Sequence, residues 1–116
     1  MKILFVHADY MDYRARERTK FAEEVGEDRK VGRIEDPLIA FTCVEKIDEN
    51  SNGIAEEALA EIRDVANKVK AKNIAIFPFA HLSQDLASPA FAVKLLVDLE
   101  NKLRGDGYFV LRAPFG

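Results

Sequence analysis

The chain contains two histidines, His7 and His81, and each closes an apolar run that reads as a strand. Imidazole changes charge near neutral pH, so a strand-end histidine at a cleft is a candidate acid, base or water-orienting group. If the two strands are neighbours in one sheet, both rings can face one cleft. The alternative is that each ring caps a backbone carbonyl at a sheet edge. His81 has the better setting for chemistry. The stretch Phe77-Pro78-Phe79-Ala80-His81-Leu82-Ser83 leaves a buried strand through a proline and delivers the imidazole where strands open onto clefts. Cys43, the single cysteine, lies inside an apolar run and reads as a buried, inert thiol. Ser83 reads as a turn or capping hydroxyl rather than a nucleophile. Two histidines and one buried cysteine fall short of the usual zinc ligand set, so no metal is expected. The sequence has neither a glycine-rich phosphate loop nor a G-x-S-x-G elbow, which argues against nucleoside-triphosphate chemistry and a serine triad.

The elements that must position these residues follow from hydrophobic period. Lys2 to His7 holds four consecutive apolar residues, the mark of a strand covered on both faces. From Tyr10 a period of two, with Met11, Tyr13 and Ala15 between Asp12, Arg14 and Arg16, suggests a half-exposed antiparallel strand. Glu17 to Asp36 mixes both charge signs around Gly26 and Gly32 and is expected to be a hairpin connection or partly ordered loop. Its Arg29, Lys30 and Arg33 can reach phosphates, but a solvated surface interleaved with Glu27, Asp28 and Glu35 is the stronger reading. Leu38 to Val44 is the clearest strand and a central one, apolar on both faces. After a turn over Asp48 to Gly53, Ala58, Ile62, Val65 and Val69 recur at helical spacing. Acids fall in the first turns of that helix and lysines in the last, as the helix dipole favours. Asn73 to Phe79 completes a strand-helix-strand unit. Ser88 and Pro89 then supply an N-cap and first-turn proline for a second helix to about Arg104, with Ala92, Leu95, Leu96, Leu99 and Leu103 on one face. Tyr108 to Leu111 is a last strand. Ala113-Pro114-Phe115-Gly116 looks like the beginning of a turn, so the chain is expected to continue.

Length and composition bound the rest. At 116 residues one domain, 1–116, with a single core is expected. Hydrophobic residues at 48% and charged ones at 32% match a soluble globular protein. The four-residue apolar run at the start is too short for a signal peptide or membrane span, so a cytoplasmic location is expected. A net charge of −3 supplies no global field for nucleic acid, so any RNA contact must be local or helped by an attached domain. From residues alone the fold class is α/β: a single domain with a mixed β-sheet, two packed helices and a cleft at His81.

Four blocks carry a resemblance. They are Lys2-Ile3-Leu4-Phe5-Val6-His7-Ala8-Asp9-Tyr10, Ala40-Phe41-Thr42-Cys43-Val44-Glu45-Lys46, Phe77 to Ser83, and Ala113-Pro114-Phe115-Gly116. In that order they closely resemble the N-terminal editing domain of archaeal threonyl-tRNA synthetases. The resemblance implies a D-aminoacyl-tRNA deacylase-like fold, a homodimer, and hydrolysis of serine mischarged on threonine tRNA, with no cofactor for editing. It implies the aminoacylated 3′ end of tRNA as partner and a synthetase catalytic domain, linked or separate. His81 resembles the family's active-site histidine, orienting water or the ribose hydroxyl. Val44, Pro78, Ala80 and Phe115, with Gly116, resemble positions that line the seryl pocket, largely through backbone atoms. The family pattern continues past Phe-Gly with aromatic residues, a catalytic lysine and a later acidic residue, all beyond this chain, which therefore reads as truncated at its C-terminal end. The competing reading is a non-catalytic module binding a small amino acid or protein partner in the same cleft.

Overall fold

The computed structural model describes residues 1–14 and 31–114. In chain order the elements are β1 (Lys2–His7), β2 (Tyr10–Arg14), β3 (Val31–Glu35), β4 (Pro37–Cys43), α1 (Ile54–Val69), β5 (Asn73–Pro78), α2 (Pro89–Gly105) and β6 (Phe109–Arg112). Four strands make one sheet in the order β1-β4-β5-β6, and β2 with β3 makes a separate ribbon. β1 runs antiparallel to β4, while β4, β5 and β6 are mutually parallel. The sheet is mixed, as expected, and α1 and α2 are the crossovers that parallel neighbours require.

β4 is covered on both faces, which is why its sequence does not alternate. β1 does not alternate either, but the cover on both faces expected for it is not found, because Leu4 and Val6 stand exposed on what is an edge strand. Leu38 packs in the larger cluster with Leu59 and Ile62 of α1, Ile74 and Ile76 of β5, and Leu96 and Leu99 of α2. Ile39 points the other way and joins Ala75 and Ile34, flanked by Ala8, Met11, Phe41, Phe77 and Leu111. The two helices therefore cover one sheet face, and the β2–β3 ribbon covers part of the other.

The expected strand at Tyr10 is present, but the stretch expected to be a connection contains β3. Tyr13 pairs with Gly32 and Met11 with Ile34. The glycine and the charged Arg33 and Glu35 masked a strand that buries only Ile34 among its described side chains. Gly32 is needed there, because a Cβ at that position would collide with the Tyr13 ring. Arg33 lies over the Tyr10 ring and pairs with Glu35 at 2.7 Å and Asp12 at 3.5 Å. That is the solvated charged surface rather than a free phosphate contact. Ala15, Arg29 and Lys30 lie outside the described residues.

α1 buries Ala58, Leu59, Ile62 and Ala66, with Val65 and Val69 half-buried at the edge of the same stripe. It starts after Gly53, whose φ of 79° is a left-handed conformation that glycine adopts without steric cost. Ser88 caps α2 by accepting from the Phe91 N–H at 3.3 Å, and Pro89 fills the first turn. One buried pair was not legible beforehand: Arg112 of β6 donates to Glu100 of α2 at 2.8 Å, and Arg104 reaches the other oxygen at 2.8 Å. Among the described residues no helix is long and apolar enough to cross a membrane.

The fully enclosed Ile62 is the most direct probe of the α1 interface. Ile62→Ala is expected to cost ~2–5 kcal/mol through lost burial and a residual cavity. Chemical denaturation of parent and variant measures it, and a change below ~1 kcal/mol would contradict the packing described.

Candidate active site

Parallel pairing puts the C-terminal ends of β4 and β5 at the same sheet edge, with Thr42 opposite Pro78. Both chains leave the sheet there. β4 continues through Val44 and Glu45 into a single 3₁₀ turn over Lys46–Asn50, and β5 continues through Phe79 into a second over Ala80–Leu82. The two exits are tied across by backbone bonds. Phe79 N–H donates to the Thr42 carbonyl at 2.9 Å, Lys46 N–H to Asp85 at 2.8 Å, and Ala87 N–H to Val44 at 3.1 Å.

A half-open cavity of 520 Å³ lies between these exits and the start of α2. Thr42, Cys43 and Val44 come from β4 and its exit, Phe77 to His81 from β5 and its turn, and Leu86, Ala87, Pro89, Ala92 and Leu96 from the α2 side. The lining is mainly apolar, and His81 and Cys43 carry its only ionisable side chains among the described residues. His81 is exposed at the rim, and its ring meets Phe79 edge-on with centroids 5.2 Å apart. Phe79 in turn packs on Phe41 at 5.5 Å, and Phe41 on Phe77 at 5.5 Å. The imidazole thus sits at the end of an aromatic row anchored in the sheet.

Of the residues singled out from sequence, Val44, Pro78, Ala80 and His81 come together around this cavity. Phe115 and Gly116 lie outside the described residues. His7 does not join them. Antiparallel pairing sets His7 beside Leu38, at the opposite end of β4 from Thr42, and β4 separates β1 from β5. His7 instead pairs with Asp36 at 3.1 Å. The condition for two imidazoles in one cleft, that their strands be neighbours, is not met. Cys43 is buried and free; burial, with the nearby Glu45 charge, pushes its thiol up, so it is inert as expected. Ser83 Oγ donates to Glu45 Oε2 at 2.8 Å and accepts from Asp85 N–H at 3.1 Å, the behaviour of a turn hydroxyl.

Sequence reasoning missed the charged residues under the site. Asp48 is buried and accepts from the Met1 ammonium at 2.7 Å and from Glu45 N–H at 2.7 Å. Lys2 Nζ donates to the Leu82 carbonyl at 3.1 Å. Antiparallel β1 brings Met1 and Lys2 to the edge where β4 and β5 end, a proximity without any local signal. The cavity wall on α2 was missed differently: Ala92 and Leu96 read as sheet-packing positions, and they also border the cavity.

The comparisons with known proteins decide the family. The family model described as the archaea-specific editing domain of threonyl-tRNA synthetase matches residues 1–116. The chain belongs to that family. The editing domain is 50% identical over 117 residues to the threonine–tRNA ligase of Methanocaldococcus jannaschii, covering all of this chain and 18% of the relative. It is 46% identical over 118 residues to that of Thermococcus onnurineus, covering all of this chain and 19% of the relative. For Methanopyrus kandleri the figures are 49% over 117 residues, with the same complete and 19% coverage. The domain thus spans about a fifth of the length of these relatives. The expected family is borne out, and membership gives the domain a proofreading role.

Glu45 titration tests the local electrostatics. The Ser83 hydrogen bond, with the Met1 ammonium and Lys2, holds the Glu45 carboxyl below its ordinary value of 4.5 despite some desolvation. A depressed folded value means this link stabilises above about pH 4.5 and is lost as pH falls through the lower folded value. The expected outcome is an NMR midpoint for Glu45 below 4.5 that moves up toward 4.5 in Ser83→Ala; an unchanged midpoint in the variant would contradict the assigned cause.

Proposed function

We propose that this domain hydrolyses the ester of serine mischarged on threonine tRNA and spares threonyl-tRNA. The observation that carries the reading is the apolar cavity with one imidazole at its rim, at the joint ends of two parallel strands. Serine and threonine differ by one methyl, and a hydrophobic pocket separates such a pair by only ~1–3 kcal/mol, so accurate charging calls for a second sieve. A cavity of 520 Å³ is of the size that takes a small ligand and part of its carrier.

In the proposed reaction a water adds to the ester carbonyl carbon, and the bond from that carbon to the terminal ribose oxygen breaks. The ribose oxygen takes up a proton, and free serine leaves. His81 orients the water or the ribose hydroxyl, while Val44, Pro78 and Ala80 shape the seryl pocket. Backbone N–H groups beyond the strand ends stabilise the developing oxyanion. The Phe79 N–H is committed to Thr42 and is not among them. The chemistry needs no cofactor. Phe115 and Gly116 are proposed as further residues of the seryl pocket. The wider assembly, with tRNA bound through its 3′ end and a synthetase catalytic domain linked or separate, follows from the same reading. A non-catalytic binding module is the second reading; the rim position of His81 favours catalysis.

His81→Ala is expected to lower seryl-tRNA hydrolysis at least ~10-fold with little change in stability, because the ring is exposed. Turnover unchanged by His81→Ala would remove His81 from the mechanism.

The domain is also proposed to form a homodimer. Leu4 is 50% exposed and Val6 40% on the edge strand β1, apolar area a second copy would cover. Light scattering at micromolar concentration is expected to give twice the chain mass; a monomer would count against the pairing.

A further inference from the structure

The Ala80–Leu82 turn that carries His81 is exposed, and its position depends on ties at both ends. In front of the imidazole are the Phe79–Thr42 backbone bond and the Phe79 ring. Behind it, Leu82 accepts from Lys2 and Ser83 donates to Glu45. Glu45 is the hub of this rear attachment. Its Oε2 holds Ser83 at 2.8 Å and lies 3.9 Å from Lys2 Nζ, while Oε1 lies 3.3 Å from the Met1 ammonium. Its own backbone is fixed by the Asp48 carboxylate and by the bridge from residue 45 to Leu86. Glu45 does not line the cavity, so it has no direct access to a bound ester. A charge placed behind the turn and braced from several sides acts on the site only through what it holds.

We infer that Glu45 is a positioning residue for His81: through Ser83 Oγ and Lys2 it holds the 80–82 turn so that the imidazole stays at the cavity mouth. The inference rests on the hydrolytic role proposed for His81. Its physical basis is geometric: a displacement near 1 Å in a positioning element can cost ~10²-fold in rate. When Glu45 is replaced the Met1 ammonium keeps its Asp48 partner at 2.7 Å, and the Lys2 contact it loses is long at 3.9 Å and exposed, so little global stability is expected to go with the link. Loss of the link is therefore expected to affect the rate far more than the fold.

The experiment uses the full-length protein and reads two quantities, single-turnover hydrolysis of seryl-tRNA and amide hydrogen exchange of the segment 79–84. Glu45→Ala and Ser83→Ala are each expected to lower kcat by ~10-fold or more with KM within ~2-fold of the parent. The double variant is expected to be no slower than the slower single one, because both substitutions remove the same link. Ser83→Thr, which keeps the hydroxyl, is expected to restore the rate. Exchange in 79–84 should rise in the alanine variants while α1 keeps the parent's protection. Parent-level kcat in both single variants, multiplicative losses in the double variant, unaltered exchange in 79–84, or a matching loss of protection in α1 would each overturn the inference. If the parent itself hydrolyses no seryl-tRNA, the proposed function fails, and the exchange pattern alone decides whether Glu45 holds the turn.

Discussion

The pairing of β4 with β5 in parallel is the constraint on which the rest depends. Parallel neighbours end at the same sheet edge, and two chains leaving together cannot both continue the ladder. They diverge and enclose space, and α2, returning across the sheet, closes it from the side. The cavity is thus a consequence of strand direction, and its apolar lining follows because the same residues continue the core. Thr42, Cys43 and Val44 extend the most buried strand in the domain, while Ala92 and Leu96 belong to the helix that packs on it.

Antiparallel β1 has the complementary effect. It carries Met1 and Lys2 to the site edge and His7 away from it. Positive charge therefore collects behind the exits of β4 and β5, where Asp48 and Glu45 meet it. The Met1 ammonium is opposed by its partial burial, and the bonds and charges of Asp48 and Glu45 outweigh this, so its ionisation shifts upward. The cluster draws on β1, the β4 exit and the turn after β5. It fixes the relative position of three segments that backbone pairing alone leaves adjustable.

For a proofreading domain this division of labour is chemically sensible. The hydrolysis proposed above would ask for placement of water and charge more than for a strong nucleophile, and the buried Cys43, with its thiol pushed up, is consistent with that proposal. The aromatic row Phe77, Phe41 and Phe79 connects the sheet to the imidazole at the rim. The buried Arg112–Glu100 pair ties β6 to α2 below the cavity and joins the last described strand to the helix that forms one cavity wall.

Hydrophobic period by itself determined most of the elements, namely the strands Lys2–His7 and Asn73–Pro78, the doubly covered β4 and both helices, while Ser88 and Pro89 marked the start of the second helix. Those signals are local, because burial on one face or two writes itself into neighbouring residues. The strand-end stretch picked out His81, and the family resemblance added Val44, Pro78 and Ala80. β3 escaped because a strand with one buried described side chain, a glycine required by Tyr13 and two charges carries too little pattern to separate from a loop. Only the tertiary structure decided that His7 and His81 lie at opposite sheet ends, and that Glu45, Asp48 and Lys2 gather behind the site. Strand direction and order set those distances. They are global properties of the pairing, and no window of sequence around a histidine or a glutamate contains them.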